Sequence, residues 1–278
     1  HQMDLQSLQG SDHFQGDVDE WQAKLGLVEE VLREWMMLTR QWASLEVVFL
    51  TSEDIKESLP EDTKRFDQIN KDFEELMKSA QDTPNVVEAC ARDGRKEALK
   101  TMNEMLDKCQ RSLNEYLDMK KKKFPRFYFV SNVDLLDILS NGANPPRIMR
   151  HLPSCYDSVK SLSFAPPAEE GAVQNVAIAM TAKDGEVINF ATPFTIAGAV
   201  EDWLNEFSIK MRNVLRDECE KAVETAVNWE VETPRHVWLE HYPAQVMLVG
   251  TQIFWTEETH RALEELESGT DDAVKKYL

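Results

Sequence analysis

The chain has 278 residues, enough for one large domain or two or three packed sub-domains. With 31 basic against 50 acidic side chains its net charge is −19, which argues against nucleic acid and against an anionic membrane as partners. A hydrophobic content of 42% with only 10 glycines and 11 prolines describes a globular chain with a real core.

The strongest pattern comes first. Between residues 17 and 50, Trp21, Leu25, Val28, Leu32, Trp35, Leu38, Trp42, Leu45 and Phe49 recur every three or four positions. That spacing predicts one long helix with a continuous apolar stripe, opened by Asp17 and Asp19 at its positive end. The three tryptophans on the stripe read as core, with an exposed groove for a partner as the other possibility. Pro60 ends a short helical piece, and Glu61 and Asp62 open the next helix, whose apolar face is Phe66, Ile69, Phe73, Leu76, Met77 and Ala80. "QDTPN" (81–85) is a turn. A third long helix is predicted from about Lys96 to Met119 through Leu99, Met102, Leu106, Cys109, Leu113 and Leu117. It runs into Lys120–Lys123, cations at the negative helix end, read as a solvated last turn or as a contact for an acidic partner.

"FPRFYFVSNVDLLDILSNG" (124–142) interrupts this texture. Pro125 stops the helix, and Arg126–Val130, aromatic and β-branched, predicts a buried extended segment. Ser131 or Asn132 then caps a short helix containing Leu135, Leu136, Ile138 and Leu139, which Gly142 ends. Pro145 and Pro146 open another short helix, and "PSCYDSVKSLSF" (153–164) reads as a further helical turn or two. After the loop "APPAEEGAVQ", residues 175–190 alternate on both sides of Asp184-Gly185, which predicts a β-hairpin. One hairpin is too small to stand alone and must lean on helices. The last third is helical again: a stripe from Val200 through Trp203, Phe207, Val214 and Cys219 to Ala226, then a helix from Pro243 through Val246, Ile253 and Phe254 with Gly250 inside. The fold class expected is therefore mainly α, an elongated multi-helix bundle or arch with one β-hairpin inserted. Its sub-domains are expected at 17–123, 124–172, 173–192 and 193–278. No repeat of 20–50 residues marks a helical-repeat array.

Chemistry is hard to place on these residues. Neither GxxxxGK[ST] nor GxGxxG occurs, so no phosphate cradle is visible, and GxSxG is absent too. Cys90, Cys109, Cys155 and Cys219 form no CxxC and read as reduced, intracellular thiols. His236, Glu240 and His241 are the one grouping a helical metalloenzyme would use, but two histidines five apart suit a metal poorly, and surface or capping roles fit better. No apolar run reaches the ~18–20 residues of a membrane span, and no leader pattern opens the chain. A chain that starts at His1 reads as an excised piece of a longer protein or as one carrying foreign leading residues. No catalytic site, bound cofactor or metal is expected.

The stretch 124–142 resembles the linker region of dynein heavy chains, where an aromatic-rich "RF-aromatic-F-(V/L)-S" precedes "LL-(E/D)-IL". Further blocks are similar in the same order: residues 41–73, "HLPSCYDSVKSLSF" (151–164), "DGEVINF" with "AGAVEDWLNEFSIKMRNVLRD", and "YPAQVMLVGTQIFWTEE" (242–258). Details such as "NGANPPRIMRHLPSCYDSV" look more like axonemal than cytoplasmic dyneins.

The resemblance implies a helical arch that swings over a ring of AAA+ modules as ATP is hydrolysed in the first module. On that reading the chain is a non-catalytic lever of the cilium or flagellum axoneme. ATP belongs to the adjoining ring, and the partners are that ring, other dynein chains and microtubules. Close-packed interiors transmit force because they deform little, so bending must fall where packing thins. The hinge candidates are Pro166, Pro167 and Gly171 in one loop, and Pro193 and Gly198 in "FATPFTIAGA" (190–199). The hairpin tip, Lys183, Asp184 and Gly185, is either a contact for the ring or a plain solvent-exposed turn. A helical scaffold tethering partner chains is the alternative, although the hairpin argues against a spectrin-like array.

Overall fold

The computed structural model describes residues 14–166, 174–226 and 234–277, and among them the chain is mainly helical with one small antiparallel sheet. It packs as two compact units. Of the described residues, unit one takes those through Lys122 together with Asn132–Ser140, and unit two takes Lys123–Ser131 and those from Asn141 on.

Unit one is built on three long helices, α1 (Gln15–Thr51), α3 (Pro60–Asp82) and α5 (Arg95–Lys123, whose last residue belongs to unit two). Short helices α2 (Glu53–Ser58) and α4 (Val86–Cys90) join them, and α6 (Asn132–Ser140) completes the unit. Pro60 occupies the first turn of α3, where its missing N–H costs nothing, followed by Glu61 and Asp62 as expected. The "QDTPN" turn ends in a cap: Asn85 Oδ1 accepts from the backbone N–H groups of Val87 (3.0 Å) and Glu88 (3.4 Å).

The stripe of α1 is rotated from its predicted centre. Val28, Val31, Leu38, Leu45 and Phe49 are buried, whereas Leu32 and Trp21 are exposed, and Trp35 and Trp42 are half-buried. Aliphatic side chains and Phe49 hold the middle of the interface, and the broad indoles sit at its margins, where one edge stays wet. Trp42 stacks on Phe73 at 4.4 Å and its Nε1 donates to Asn70 Oδ1 at 3.0 Å. Phe49 stacks on Phe66 at 5.2 Å. Asn103 on α5, itself buried, donates to Glu34 O (3.1 Å) and Glu34 Oε2 (2.8 Å), and Gln41 Nε2 donates to Asp107 Oδ1 at 2.8 Å. These polar pins penalise any slip of α1 along α5, because a slip strands a buried amide.

Unit two mixes short elements with long ones. A 3-10 helix, Pro125–Phe129, leads to α7 (Pro145–Ile148), a 3-10 turn (Met149–His151) and α8 (Leu152–Cys155). The sheet follows as β1 (Val159–Phe164), β2 (Val176–Ala182) and β3 (Val187–Thr195), in spatial order β1-β2-β3. Helices α9 (Val200–Ala226), α10 (Arg235–His241), α11 (Ala244–Glu267) and α12 (Ala273–Tyr277) complete it.

Two expectations are corrected here. Residues 126–129 are not extended: they wind within the 3-10 helix and of this run Val130 alone takes extended backbone, and Phe124, Phe127 and Val130 are buried while Tyr128 and Phe129 are exposed. The burial period is three, which matches 3-10 geometry, and the alternation a strand requires is absent. Residues 159–164 are a strand, not a helical turn. Val159 and Leu162 are buried there and β1 pairs antiparallel with β2, so the predicted hairpin gains a third strand. The Asp184-Gly185 turn stands as predicted, with Gly185 at φ +97.

Candidate functional site

The aromatic run that interrupts the helical pattern builds a joint inside unit two. Phe124 meets Phe127 edge-on at 4.9 Å, and Tyr156 meets Phe207 edge-on at 5.2 Å. Phe124 lies 6.4 Å from Tyr156 between these two pairs. Arg126 lies over the Tyr156 ring at 4.6 Å, and its Nη1 donates to Cys155 O at 2.9 Å. The Tyr156 hydroxyl donates to Leu204 O at 3.0 Å and shares a 2.6 Å bond with Ser208 Oγ, which anchors the ring to α9. Burial pushes the Tyr156 phenol up to about 12 and the Cys155 thiol up to about 11, so both stay neutral and neither is a reactive nucleophile.

Lys123 closes the joint from the other side. Its Nζ donates to Asp202 Oδ2 at 2.9 Å and lies 3.4 Å from the buried Glu201, both in the first turn of α9, while Asn205 Nδ2 donates to Lys123 O at 3.1 Å. Thus one cation of the Lys120–Lys123 run finds its acidic partner within the chain, and Lys121 bonds Asn132 Oδ1 at 2.7 Å.

Lys183, Asp184 and Gly185 are exposed at the β2–β3 turn. The turn is held at its base from three directions. Lys183 N donates to Ser158 O (2.9 Å), Asp184 Oδ1 accepts from Glu186 N (3.1 Å), and Glu186 Oε1 accepts from Ala244 N (2.7 Å). The last bond supplies an N-terminal cap for α11, whose own N-cap residue is Pro243. Beneath the turn lies a cavity of about 400 Å³ lined by Met180, Ile188, Met211, Leu215, Pro243 and Leu248. The tip is therefore pinned at its base by hydrogen bonds.

Of the hinge residues expected from sequence, Pro166 is exposed just after β1, and Pro167 and Gly171 lie outside the described residues. Pro193 sits in a bulge: β2 advances from Ala177 to Ala179 while β3 steps from Phe194 to Asn189. Gly198 takes φ +81 two residues before α9, with open space around it, a conformation that glycine adopts without strain. His236, Glu240 and His241 are exposed, and no group of three or more His, Cys, Asp or Glu side chains suited to a metal is gathered among the described residues. None of their helices is long and apolar enough to cross a membrane. Unit one carries a separate groove of about 480 Å³ lined by Leu32, Trp35, Met36, Arg40, Val86 and Cys90.

Sequence reasoning missed β1, the Glu186 cap and the contact between Lys123 and the start of α9. Each joins residues remote in sequence; only β1 had a local signal, the apolar Val159 and Leu162 among hydroxyl residues.

Comparison with known proteins bears on the whole arrangement. The chain is 43% identical over 99% of its length to the dynein beta chain of the flagellar outer arm from Chlamydomonas reinhardtii. It is 42% identical over its full length both to the ciliary dynein beta chain of Tripneustes gratilla and to human dynein axonemal heavy chain 17. It spans 6% of the length of each of these relatives. Residues 1–222 match the family model described as dynein heavy chain, N-terminal region 2, and the chain belongs to that family.

Proposed function

We propose that this chain is the mechanical linker of an axonemal dynein heavy chain, acting in the cilium or flagellum. It couples ATP hydrolysis in a neighbouring AAA+ ring of the same heavy chain to displacement along microtubules. The observation that carries this reading is the similarity over 99–100% of the chain to flagellar and ciliary dynein heavy chains. The packing supports it, because long helices stacked through Trp42–Phe73 and Phe49–Phe66 resist deformation and pass force along their length. The chain has no GxxxxGK[ST] sequence, in keeping with a non-catalytic element whose ATP is bound by the ring. Bending falls at Pro166, Pro167 and Gly171 or at Pro193 and Gly198, and Lys183, Asp184 and Gly185 meet the ring.

The test is made in the full-length heavy chain. Lys183→Glu reverses the side-chain charge at the tip while keeping the bond from Glu186 N to Asp184 Oδ1 and the Gly185 turn. Microtubule gliding is expected to slow severalfold while ATP turnover persists. Unchanged gliding would remove the tip from the mechanism. Titration of the 278-residue chain with ATP is expected to show no binding, and micromolar affinity would overturn the non-catalytic assignment.

A further inference from the structure

Arg95 opens α5 and is only 6% exposed, yet among the described residues no ion pair joins it to a carboxylate. Its Nη2 donates to Ser79 Oγ at 2.7 Å, and its guanidinium lies over the Trp35 ring, 5.3 Å from the centroid. Arg92 reaches the same hydroxyl, with Nη1 donating to Ser79 Oγ. A buried cation normally sits against an anion, because a hydroxyl and an indole face replace little of its lost hydration. Burial first, and then the neighbouring Arg92 charge, pull the Arg95 guanidinium below its ordinary value. Two guanidiniums therefore converge on one neutral oxygen, in a chain whose net charge is −19.

The place has room for an anion. Ser79, half-buried in the last turn of α3, lines a cavity of about 540 Å³ together with Arg92 and Arg95. Gly94, at φ +73, and the first turn of α5 border the same space, so the positive end of a 29-residue helix opens on it. Asp72, Glu75 and Asp93 also line the cavity and oppose an anion, but none forms an ion pair with either guanidinium. The sequence around the hydroxyl carries a second signal. Ser79-Ala80-Gln81-Asp82 places a carboxylate three residues after a serine, the charge pattern that acidophilic protein kinases select.

We propose that Ser79 is a phosphorylation site and that Arg92 and Arg95 receive its phosphate, a clamp that ties the end of α3 to the start of α5. A protein kinase supplies the phosphoryl group from ATP. Ser79 Oγ bonds the γ-phosphorus, the bond from that phosphorus to ADP breaks, the hydroxyl proton passes to the kinase's base, and ADP leaves. The phosphate oxygens then accept charge-assisted bonds from two guanidiniums already aimed at the site. On its own, a phosphate in the last turn of α3 would repel the negative end of that helix and fray it. The two arginines reverse the sign of the effect, so that modification orders the segment between them, α4 and its flanking turns. This inference stands on unit one alone and not on the lever action, so the two fail separately.

The experiment treats the full-length heavy chain with ATP and casein kinase II, an acidophilic kinase, and maps the phosphorylated residues by mass spectrometry. Phosphate is expected on Ser79. Alkaline phosphatase is then expected to release it several-fold more slowly from the parent chain than from Arg92→Gln, a substitution at an exposed side chain that leaves the packed helices alone. Hydrogen exchange of the α4 amides is expected to slow several-fold on phosphorylation of the parent chain, and Arg92→Gln to lose most of that slowing. Absence of phosphate at Ser79 overturns the proposal, and so do equal release rates from the two chains. Faster exchange at α4 and the end of α3 after phosphorylation means that the charge frays the helix, and it overturns the clamp.

Discussion

Unit one draws its interior from three helices of 37, 23 and 29 residues, each contributing a long apolar stripe. Unit two draws its interior from four- and five-residue helical pieces, a sheet and four helices of mixed length, joined by aromatic edges and single hydrogen bonds. In unit one, periodicity does most of the specifying, and a few buried amides such as Asn103 fix the register. In unit two periodicity specifies α9 and α11, and between the shorter elements specific pairs carry the positioning: Arg126 to Cys155 O, Asn205 to Lys123 O, Glu186 to Ala244 N.

The largest effect tests whether aromatic packing carries both units. Phe66→Ala in unit one and Phe207→Ala in unit two each remove a fully buried ring, and each is expected to cost about 3–5 kcal/mol in denaturant unfolding. A cost under about 1 kcal/mol for Phe207→Ala would show that the aromatic joint does not hold unit two together.

Alkaline pH should separate the units next. Tyr156 rises from an ordinary 10.0 to about 12, and Cys155 from 9.0 to about 11, because burial disfavours their anions. Each folded value lies above its unfolded one, so the contribution is fully present below about pH 9 and is lost as the pH climbs toward the folded values, where the unfolded chain ionises first. At 1.36 kcal/mol per unit, each group accounts for about 2–3 kcal/mol across that window. Cys90 and Cys109 in unit one shift in the same direction for the same reason. Hydrogen exchange between pH 9 and 11 is expected to loosen the joint around Tyr156 first. Earlier loosening of α3 and α5 would break the contrast.

The smallest effect sharpens the idea of point contacts. Glu186→Ala deletes the cap on α11 and is expected to cost about 1 kcal/mol, with faster exchange of the amides in the first turn of that helix. Glu186→Gln, which keeps an acceptor oxygen, should restore most of the protection, and equal loss in both variants would mean that charge, not capping, is the operative feature.

The same contrast explains what could be read from the sequence. The three long helices of unit one, α9 and α11 were legible because stripes such as Leu99, Met102, Leu106, Cys109, Leu113 and Leu117 repeat at the helical period. The β2–β3 turn was legible because Asp184-Gly185 is a local signal. The 3-10 helix at Pro125–Phe129 was not, since three aromatics in five residues suit a strand by propensity, and only burial at every third position shows otherwise. The rotation of the α1 stripe escaped for a related reason: spacings of three and four drift around a straight helix, which leaves Trp21 and Leu32 roughly 100–120° around from Leu38, and the spacing does not say where the partner helices stop. At the candidate site, the exposed tip was visible in the sequence and its anchors were not, because Glu186 and Ala244 are distant in the chain.

The edges of the small sheet have one more consequence. Strand edges invite pairing with other molecules, and both edges here are blunted. On the β1 side, Leu162 N is occupied by the Met149 thioether at 3.3 Å. On the β3 side, the bulge breaks the ladder and Pro193 offers no donor, so an incoming strand meets a kinked, incomplete row of hydrogen-bonding groups. The residues that give β3 its irregular path thereby keep neighbouring molecules from fusing edge to edge, and a sheet of three strands stays at three.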